Sequence, residues 1–374
     1  MINGVKLTLM IGPVVPIPVS SDILDALDSV QVTTASGSSS GFQLTFKLST
    51  RSLLHTVFLI SGGASIPLIR VVLIATINGI PSTLIDGVMT NHQVSPGPGK
   101  ATLTITGEDM TKVMDYIDFS GIPYPAMPPE ARVALIIAKY SFLGVLPLVI
   151  PSVLIDLPIP TDRIPRQQGT DLAYVKSLAD EVGYVFYMNP GPAPGTSIAY
   201  WGPEIKFGVP QPALNIDMDA YTNVESLQFS YDTESKTLPI VFIQEPNTKA
   251  PIPIPIPSEV NPLSPPLGII PAIPKRIEPI TDTAKYSPIR GVLIGLAKAS
   301  KSADVVTGTG SLNVTRYGRV LRARQLVGVR GAGPAFDGLY YVKSVTHSIK
   351  PGEYKQNFTL ARNGLLSTVP AVPA

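Results

Sequence analysis

Gly41-Phe42-Gln43-Leu44-Thr45-Phe46-Lys47-Leu48 alternates apolar and polar side chains at every step. A period of two marks a strand with one buried and one wet face, because successive side chains leave opposite sides of the pleat. The pattern recurs at Thr102-Leu103-Thr104-Ile105-Thr106 and at Leu227-Gln228-Phe229-Ser230-Tyr231. Between the first two lies Ile69–Ile77, almost wholly apolar and closed by Asn78-Gly79. Both of these residues tolerate positive φ, so the dipeptide predicts a hairpin turn. Val57–Ile60, ahead of Ser61-Gly62-Gly63, reads as another strand, and a strand pattern resumes after Gly310 and runs to about Leu360. Short strands punctuated by turn residues predict a mainly β chain, a sandwich or a barrel.

The middle of the chain differs. Asp109 and Glu108 precede Met110–Ile117, a short helical stretch whose early acids suit the helix dipole. Pro128-Pro129-Glu130 opens Ala131–Tyr140, where Val133, Ile136, Ile137 and Tyr140 share a face. Leu172, Val175, Leu178 and Val182 repeat at helical spacing, with Thr170 or Asp171 as cap and Gly183 as stop. Tyr184–Met188 reads as a strand. The apolar tract Val133–Ile155, broken by Lys139, Pro147 and Pro151, reads as a buried helix and a loop, not a membrane span. Residues 251–274 hold nine prolines in 24 positions. Pro251, Pro253, Pro255 and Pro257 cannot donate to a ladder, so this segment reads as an extended strap. The expected boundaries are 1–109 for a first β unit and 110–215 for an α+β insertion. A second β unit, 216–250 and 280–366, is split by a strap at 251–279, and 367–374 is a tail.

Composition narrows the function. The 374 residues are 44% hydrophobic and 15% charged, with a mean hydropathy of +0.26. Soluble chains average about 25% charged. That excludes disorder, and large subunit interfaces are the usual outlet for such apolar content. No cysteine is present, which excludes disulfides, thiol nucleophiles and Cys-ligated metals. Neither a basic leader with an apolar core nor an uninterrupted span is found, so no signal peptide and no stable membrane insertion are expected.

Candidate chemistry is sparse. Gly37-Ser38-Ser39-Ser40-Gly41 matches G-x-S-x-G, but a strand follows where a nucleophile elbow needs a helix, so it reads as a turn. Ser95-Pro96-Gly97-Pro98-Gly99-Lys100 lacks the first glycine and the Ser/Thr of a phosphate loop. His55, His92 and His347 lack metal-ligand spacing, so no metal, cofactor or catalytic set is expected. Residues 285–362 carry 13 basic and three acidic side chains, or +10, leaving 16 basic and 24 acidic, or −8, elsewhere. There Arg322, Arg324 and Arg330 fall opposite the apolar positions Leu321, Ala323, Val327 and Val329. They read either as a solvated outer face or as a basic surface that meets an acidic partner or lines a channel. No nucleic-acid motif is present, so specific nucleic-acid binding is not expected.

Thr104-Ile105-Thr106-Gly107-Glu108-Asp109, Gln168-Gly169-Thr170-Asp171-Leu172-Ala173-Tyr174-Val175 and Gly183-Tyr184-Val185-Phe186 occur in that order. Gly338-Leu339-Tyr340-Tyr341-Val342-Lys343-Ser344-Val345-Thr346-His347 and Tyr354-Lys355-Gln356-Asn357-Phe358-Thr359-Leu360 follow. Together they resemble the phage late control D family, which includes contractile-tail baseplate hubs and the hub part of VgrG-type spikes. The resemblance covers about residues 5–365. It implies two tube-protein-like β-barrels per chain with an α+β insertion, trimerising into a pseudo-six-fold ring. It implies a non-enzymatic hub that adapts a six-fold inner tube to a three-fold spike. The implied partners are a homotrimer, a separate trimeric spike protein, tube or tube-initiator proteins and baseplate wedge proteins. Assembly in the cytoplasm and then residence in a virion or injection particle would follow. Arg316, Arg322, Arg324 and Arg330 become lumen or subunit-contact candidates. VgrG-type chains continue into an OB-fold and a needle, for which no repeat is visible here. Two other readings remain: a secreted carbohydrate-active or carbohydrate-binding β-protein using Trp201 and Tyr200 as a sugar platform, and a monomeric binding module.

Overall fold

The first β segment begins with β1 (Val5–Pro13), β2 (Ile17–Pro18), β3 (Leu27–Ala35) and β4 (Gly41–Leu48). It continues with β5 (Ile69–Ile77), β6 (Ile80–Ser95) and β7 (Ala101–Asp109), and these strands hydrogen-bond in the order β3-β4-β7-β6-β5-β1-β2. The computed structural model describes residues 4–48, 68–97, 101–152, 164–244, 250–257, 264–280, 288–369 and 372. The strand expected at Val57–Ile60 and the histidine His55 lie outside the described residues. The β5–β6 hairpin turns at Asn78 (φ 50°) and Gly79 (φ 81°), as that dipeptide predicts.

The insertion contains β8 (Val145–Val149), β9 (Val185–Pro190) and β10 (Ser197–Gly202), joined as β8-β10-β9. Helices Pro129–Ala138 and Asp171–Val182 cover this sheet with Val133, Ile136, Ile137, Val175 and Leu178. Thr170 Oγ1 caps the second by accepting from the Ala173 amide at 3.2 Å, and Gly183 ends it in the left-handed region. The loop expected after the first helix is instead β8, parallel to β10. Val133, Ile136, Ile137, Leu143 and Val145 of the tract are buried in the core, while Leu146 and Leu148 on β8 are exposed.

The C-terminal part supplies β11 (Gln211–Asn215), β12 (Val224–Tyr231), β13 (Thr237–Gln244), β14 (Pro251–Pro255), β15 (Gly268–Pro271) and β16 (Arg276–Ile280). After these come β17 (Val306–Asn313), β18 (Leu326–Arg330), β19 (Gly338–Lys350), β20 (Glu353–Arg362) and β21 (Gly364–Ser367). The order β12-β17-β20-β19-β18-β11 repeats β3-β4-β7-β6-β5-β1, except that β11 lies parallel to β18 where β1 is antiparallel to β5. The two halves are not separate sheets. β19 pairs β3 antiparallel, so one 13-stranded sheet runs through both. One apolar core serves both halves, from Leu9, Val32 and Leu44 to Val345 and Leu360.

Two expectations are corrected. The segment 216–250 does not belong to one β unit, because β12 joins the large sheet while β13 leaves it for a small sheet, β14-β13-β16. Helix Pro288–Lys301, inside the segment assigned to the second β unit, packs on β13. Gly295 permits this approach, since a Cβ there would meet Val241 Cγ2 at 2.5 Å. The Pro-rich strap is also partly a strand. Ile256 N donates to Pro239 O at 3.0 Å, and Ile254 and Ile252 share its parity opposite Val241 and Ile243. Pro251, Pro253 and Pro255 therefore turn their donor-less nitrogens to the free edge. Pro257, two residues further on, is exposed beyond the strand.

Candidate assembly surface

Eight consecutive strands, β12-β17-β20-β19-β3-β4-β7-β6, carry a face that no other element among the described residues covers with an apolar layer. One row across it reads Ser226, Ser311, Asn357, Thr346, Thr33. A second reads Gln228, Thr309, Thr359, Ser344, and a third Ser348, Gln31, Gln43, Thr106, Asn91. Thr45, Thr104 and Gln93 form a fourth. None of these side chains is charged. Thr33 and Thr346 hydroxyls lie 3.1 Å apart, and those of Ser226 and Ser311 2.9 Å apart. The alternate positions, including Val32, Phe42, Leu44, Leu103, Ile105, Val345 and Phe358, fill the core. At the margins Lys47 is paired with Asp28, Lys355 with Glu225 at 3.2 Å and Glu353 at 3.0 Å, and Glu108 with Lys112 at 3.9 Å.

Both ends of this eight-strand stretch are open. Among the described residues β12 has a partner on one side only. β6 pairs β5 up to Val88, so from Thr90 to Ser95 its second edge is free among the described residues. Val94 is 44% exposed on the core side of that free edge.

The basic surplus lies largely elsewhere. Arg324, expected on an outer strand face, is buried in the loop before β18, which breaks the strand alternation there. It donates to Ala35 O at 2.7 Å, to Met188 O at 3.3 Å and to Asn189, and stacks 3.8 Å over Tyr187. That ties β3, the insertion and the second half together, and it withdraws Arg324 as a lumen or contact candidate. Arg362 is buried on the carbonyls of Gly364, Asp337 and Ala335. Lys343 bridges Glu204 at 3.2 Å and Asp304 at 3.1 Å, and Lys206 meets Asp304 at 2.6 Å. Burial works against the Asp304 carboxylate, but Lys206 and Lys343 outweigh it and hold it below the usual carboxylate range. Arg316, on the short helix Val314–Tyr317, and Arg322 are exposed, while Arg330 is half-buried at the end of β18. None of them lies on the hydroxyl face.

A second buried tie is Arg70–Asp86, at 2.6 and 2.7 Å, with Arg70 also donating to Leu143 O at 2.7 Å. Burial pushes the Asp86 carboxyl up despite the adjacent guanidinium.

Trp201 and Tyr200 are buried, with Trp201 edge-on to Tyr184 at 4.9 Å, so they offer no sugar platform. Ser38 and its neighbours form a turn between β3 and β4, and Asp109 accepts from Ser40 N at 2.7 Å and Thr111 N at 3.0 Å. His92 is exposed on β6. His347 is buried, its Nδ1 2.8 Å from Tyr354 Oη and 3.3 Å from Gln356 Nε2. Burial lowers it to about 4. A cleft of about 410 Å³ between β6, the insertion and the 320–325 loop is lined by Leu84, Asn189, Ile198, Arg322 and His347. Among the described residues, no group of three His, Asp or Glu side chains could hold a metal. None of the described helices is long and apolar enough to cross a membrane.

No protein-family model and no curated protein matches the sequence. Solved structures do match. A tail protein from Neisseria meningitidis MC58 superposes with a TM-score of 0.63 at 13% identity, covering 97% of this chain and 98% of that one. The 43 kDa tail protein of prophage MuSo2 from Shewanella oneidensis gives 0.63 at 12%, covering 96% and 98%. An E. coli component of the type VI secretion system, described as structurally similar to bacteriophage tail proteins, gives 0.52 at 11%, covering 93% and 76%. The fold of this chain, mainly β with an α+β insertion, is that of phage tail proteins.

Proposed function

We propose that the chain is a non-enzymatic baseplate hub of a contractile tail or injection machine, of the late control D type. It forms a homotrimeric ring that adapts a six-fold inner tube to a three-fold spike. The observation that carries this reading is the eight-strand sheet: two like four-strand halves, an uncharged face and two free edges. Three copies joined edge to edge make a wall of 24 strands from six like units. At about 4.8 Å per strand the wall is about 115 Å around, or about 37 Å across before strand tilt widens it. The core side of each sheet carries the insertion and the small sheet, which cannot fit inside so narrow a ring. The hydroxyl face therefore lines the passage.

The structures named as tail and secretion-system proteins support this role through fold. A separate spike protein below, tube or tube-initiator proteins above and wedge proteins outside are the partners. Arg316, Arg322 and Arg330 serve as outer contacts, and the proline-edged β14 lies toward a neighbouring subunit or baseplate protein. The test is native mass measurement with negative-stain imaging of the purified chain. A species of about 120 kDa, three times 39.8 kDa, seen as rings with a central hole is expected. A monomer at every concentration refutes the reading.

A further inference from the structure

We propose that the ladder joining one copy of this chain to the next repeats the β19–β3 seam inside the chain, with Gln93 of one copy opposite Ser230 of its neighbour. This rests on the ring reading above and adds to it which edges meet and in what register.

The two halves correspond residue by residue, and irregularities set the correspondence. On β6 the pairing to β7 slips between Met89 and Asn91, after which Asn91 faces Thr106. On β19 the pairing to β20 slips between Val342 and Ser344, after which Ser344 faces Thr359. On β3 the pairing to β4 slips between Leu27 and Ser29, where Ser29 faces Thr45. On β12 the pairing to β17 slips between Val224 and Ser226, where Ser226 faces Ser311. A bulge is a placed feature of a strand, not noise. Two bulges at matching places leave one alignment: Asn91 with Ser344, Gln93 with Thr346, Ser29 with Ser226 and Thr33 with Ser230. The intervening pairs agree, since Gln43 faces Thr106 as Thr309 faces Thr359.

Inside the chain, the side of β19 left open by β20 takes β3, with Thr346 opposite Thr33, His347 opposite Val32 and Ser348 opposite Gln31. The equivalent side of β6 is the free edge from Thr90 to Ser95, and the equivalent of β3 is the free edge strand β12. Carrying the seam across places Gln93 opposite Ser230, Val94 opposite Phe229 and Ser95 opposite Gln228 of the next copy. The chemistry agrees on both faces. Gln93, Ser95, Ser230 and Gln228 extend the uncharged face, and the same alignment sets Asp232 beside Asn91 at its margin. Val94, 44% exposed in the single chain, is the equivalent of buried His347 and gains Phe229 as its cover. Val94 is held on the core side by its pairing with Leu103, so a one-residue slip would set it beside Ser230 or Gln228 and turn the neighbour's wet face to the core side; the register is therefore strongly specified.

The absence of cysteine makes the test clean. Gln93→Cys/Ser230→Cys in the full chain is oxidised mildly and run on a non-reducing denaturing gel, alongside native mass measurement. Thr33→Cys/Thr346→Cys is the in-chain reference, since those hydroxyls are 3.1 Å apart and cross-strand neighbours lie close to disulfide reach. Gln93→Cys/Gln228→Cys is the register control. Covalent dimers and trimers in the first variant, at several-fold higher yield than in the control, are expected. Mixing the two single variants Gln93→Cys and Ser230→Cys should give covalent dimers and nothing larger. Trimers by native mass with no Gln93–Ser230 cross-link, or with a stronger one in the control, overturn the register and leave the ring standing. Monomers throughout overturn both.

Discussion

Acidification should weaken the fold through His347, and the amount follows from its site. The ring sits at the β3–β19 seam, opposite Val32 and against Tyr354 and Gln356. Gln356 donates through Nε2 to Leu321 O at 2.8 Å, and its Oε1 accepts from Leu321 N at 2.9 Å. Its amide is thereby oriented with the second Nε2 hydrogen toward His347 Nδ1, which accepts. A proton on Nδ1 would set donor against donor at a ring that is 4% exposed. The folded group titrates at about 4, against 6.5 for the free side chain. Because the folded value is depressed for a base, the unfolded chain binds the proton more readily. Stability is complete above pH 6.5 and is lost as the pH falls toward 4. At 1.36 kcal/mol per unit, the loss is about 2 kcal/mol by pH 5 and about 3 kcal/mol by pH 4. Urea unfolding between pH 7.5 and 5 reads it directly, with His347→Gln as the non-titrating reference. The variant should be less stable at neutral pH but should lose about 2 kcal/mol less over that range. Equal slopes for the two proteins would refute the argument.

Arg70→Met leaves Asp86 buried without its cation and should cost about 3–5 kcal/mol in urea unfolding. Gly183→Ala puts a Cβ 2.6 Å from the Ala297 Cα at a left-handed position. It should cost about 1–3 kcal/mol and speed proteolysis around helix Pro288–Lys301. Trp201→Phe removes an indole N–H that has no hydrogen-bond partner among the described residues. The variant should therefore lose under about 3 kcal/mol, below a cavity-forming Trp201→Ala by thermal denaturation. Pro253→Thr restores a donor at the free edge of β14 and should raise concentration-dependent association by light scattering.

Period-2 alternation made β4, β7 and β12 legible, because each has one face toward a common core and one toward water, whereas β1, β3 and most of β6 were not read. Asn78-Gly79, Thr170 and Gly183 were legible for a second reason: each performs a local backbone task that few residues can. Helix Pro288–Lys301 was hidden, since Gly291, Gly295 and the β-branched residues between them argue against a helix until Val241 is seen to need the gap. The prolines at 251, 253 and 255 misled in the same way, because a missing donor excludes a central strand but not the outer side of an edge. The arginines misled because charge in a sequence carries no depth, and Arg324 and Arg362 are spent on buried carbonyls. The duplication left no residue-level repeat. It survives in strand order, in two bulges and in the choice of Ser, Thr, Asn and Gln over Lys and Glu at the wet positions. That last choice was the available signal for the assembly surface.

In the proposed ring, the seam between β3 and β19 has one property that its counterparts between copies would lack: the polypeptide itself holds its two sides at a high effective concentration. A circle built from three such chains has six joints of nearly one design, alternately tethered and untethered. Dilution or mechanical load must then part it at every second joint. Such a ring would come apart into thirds and never into sixths, along lines set in the chain before any two copies meet.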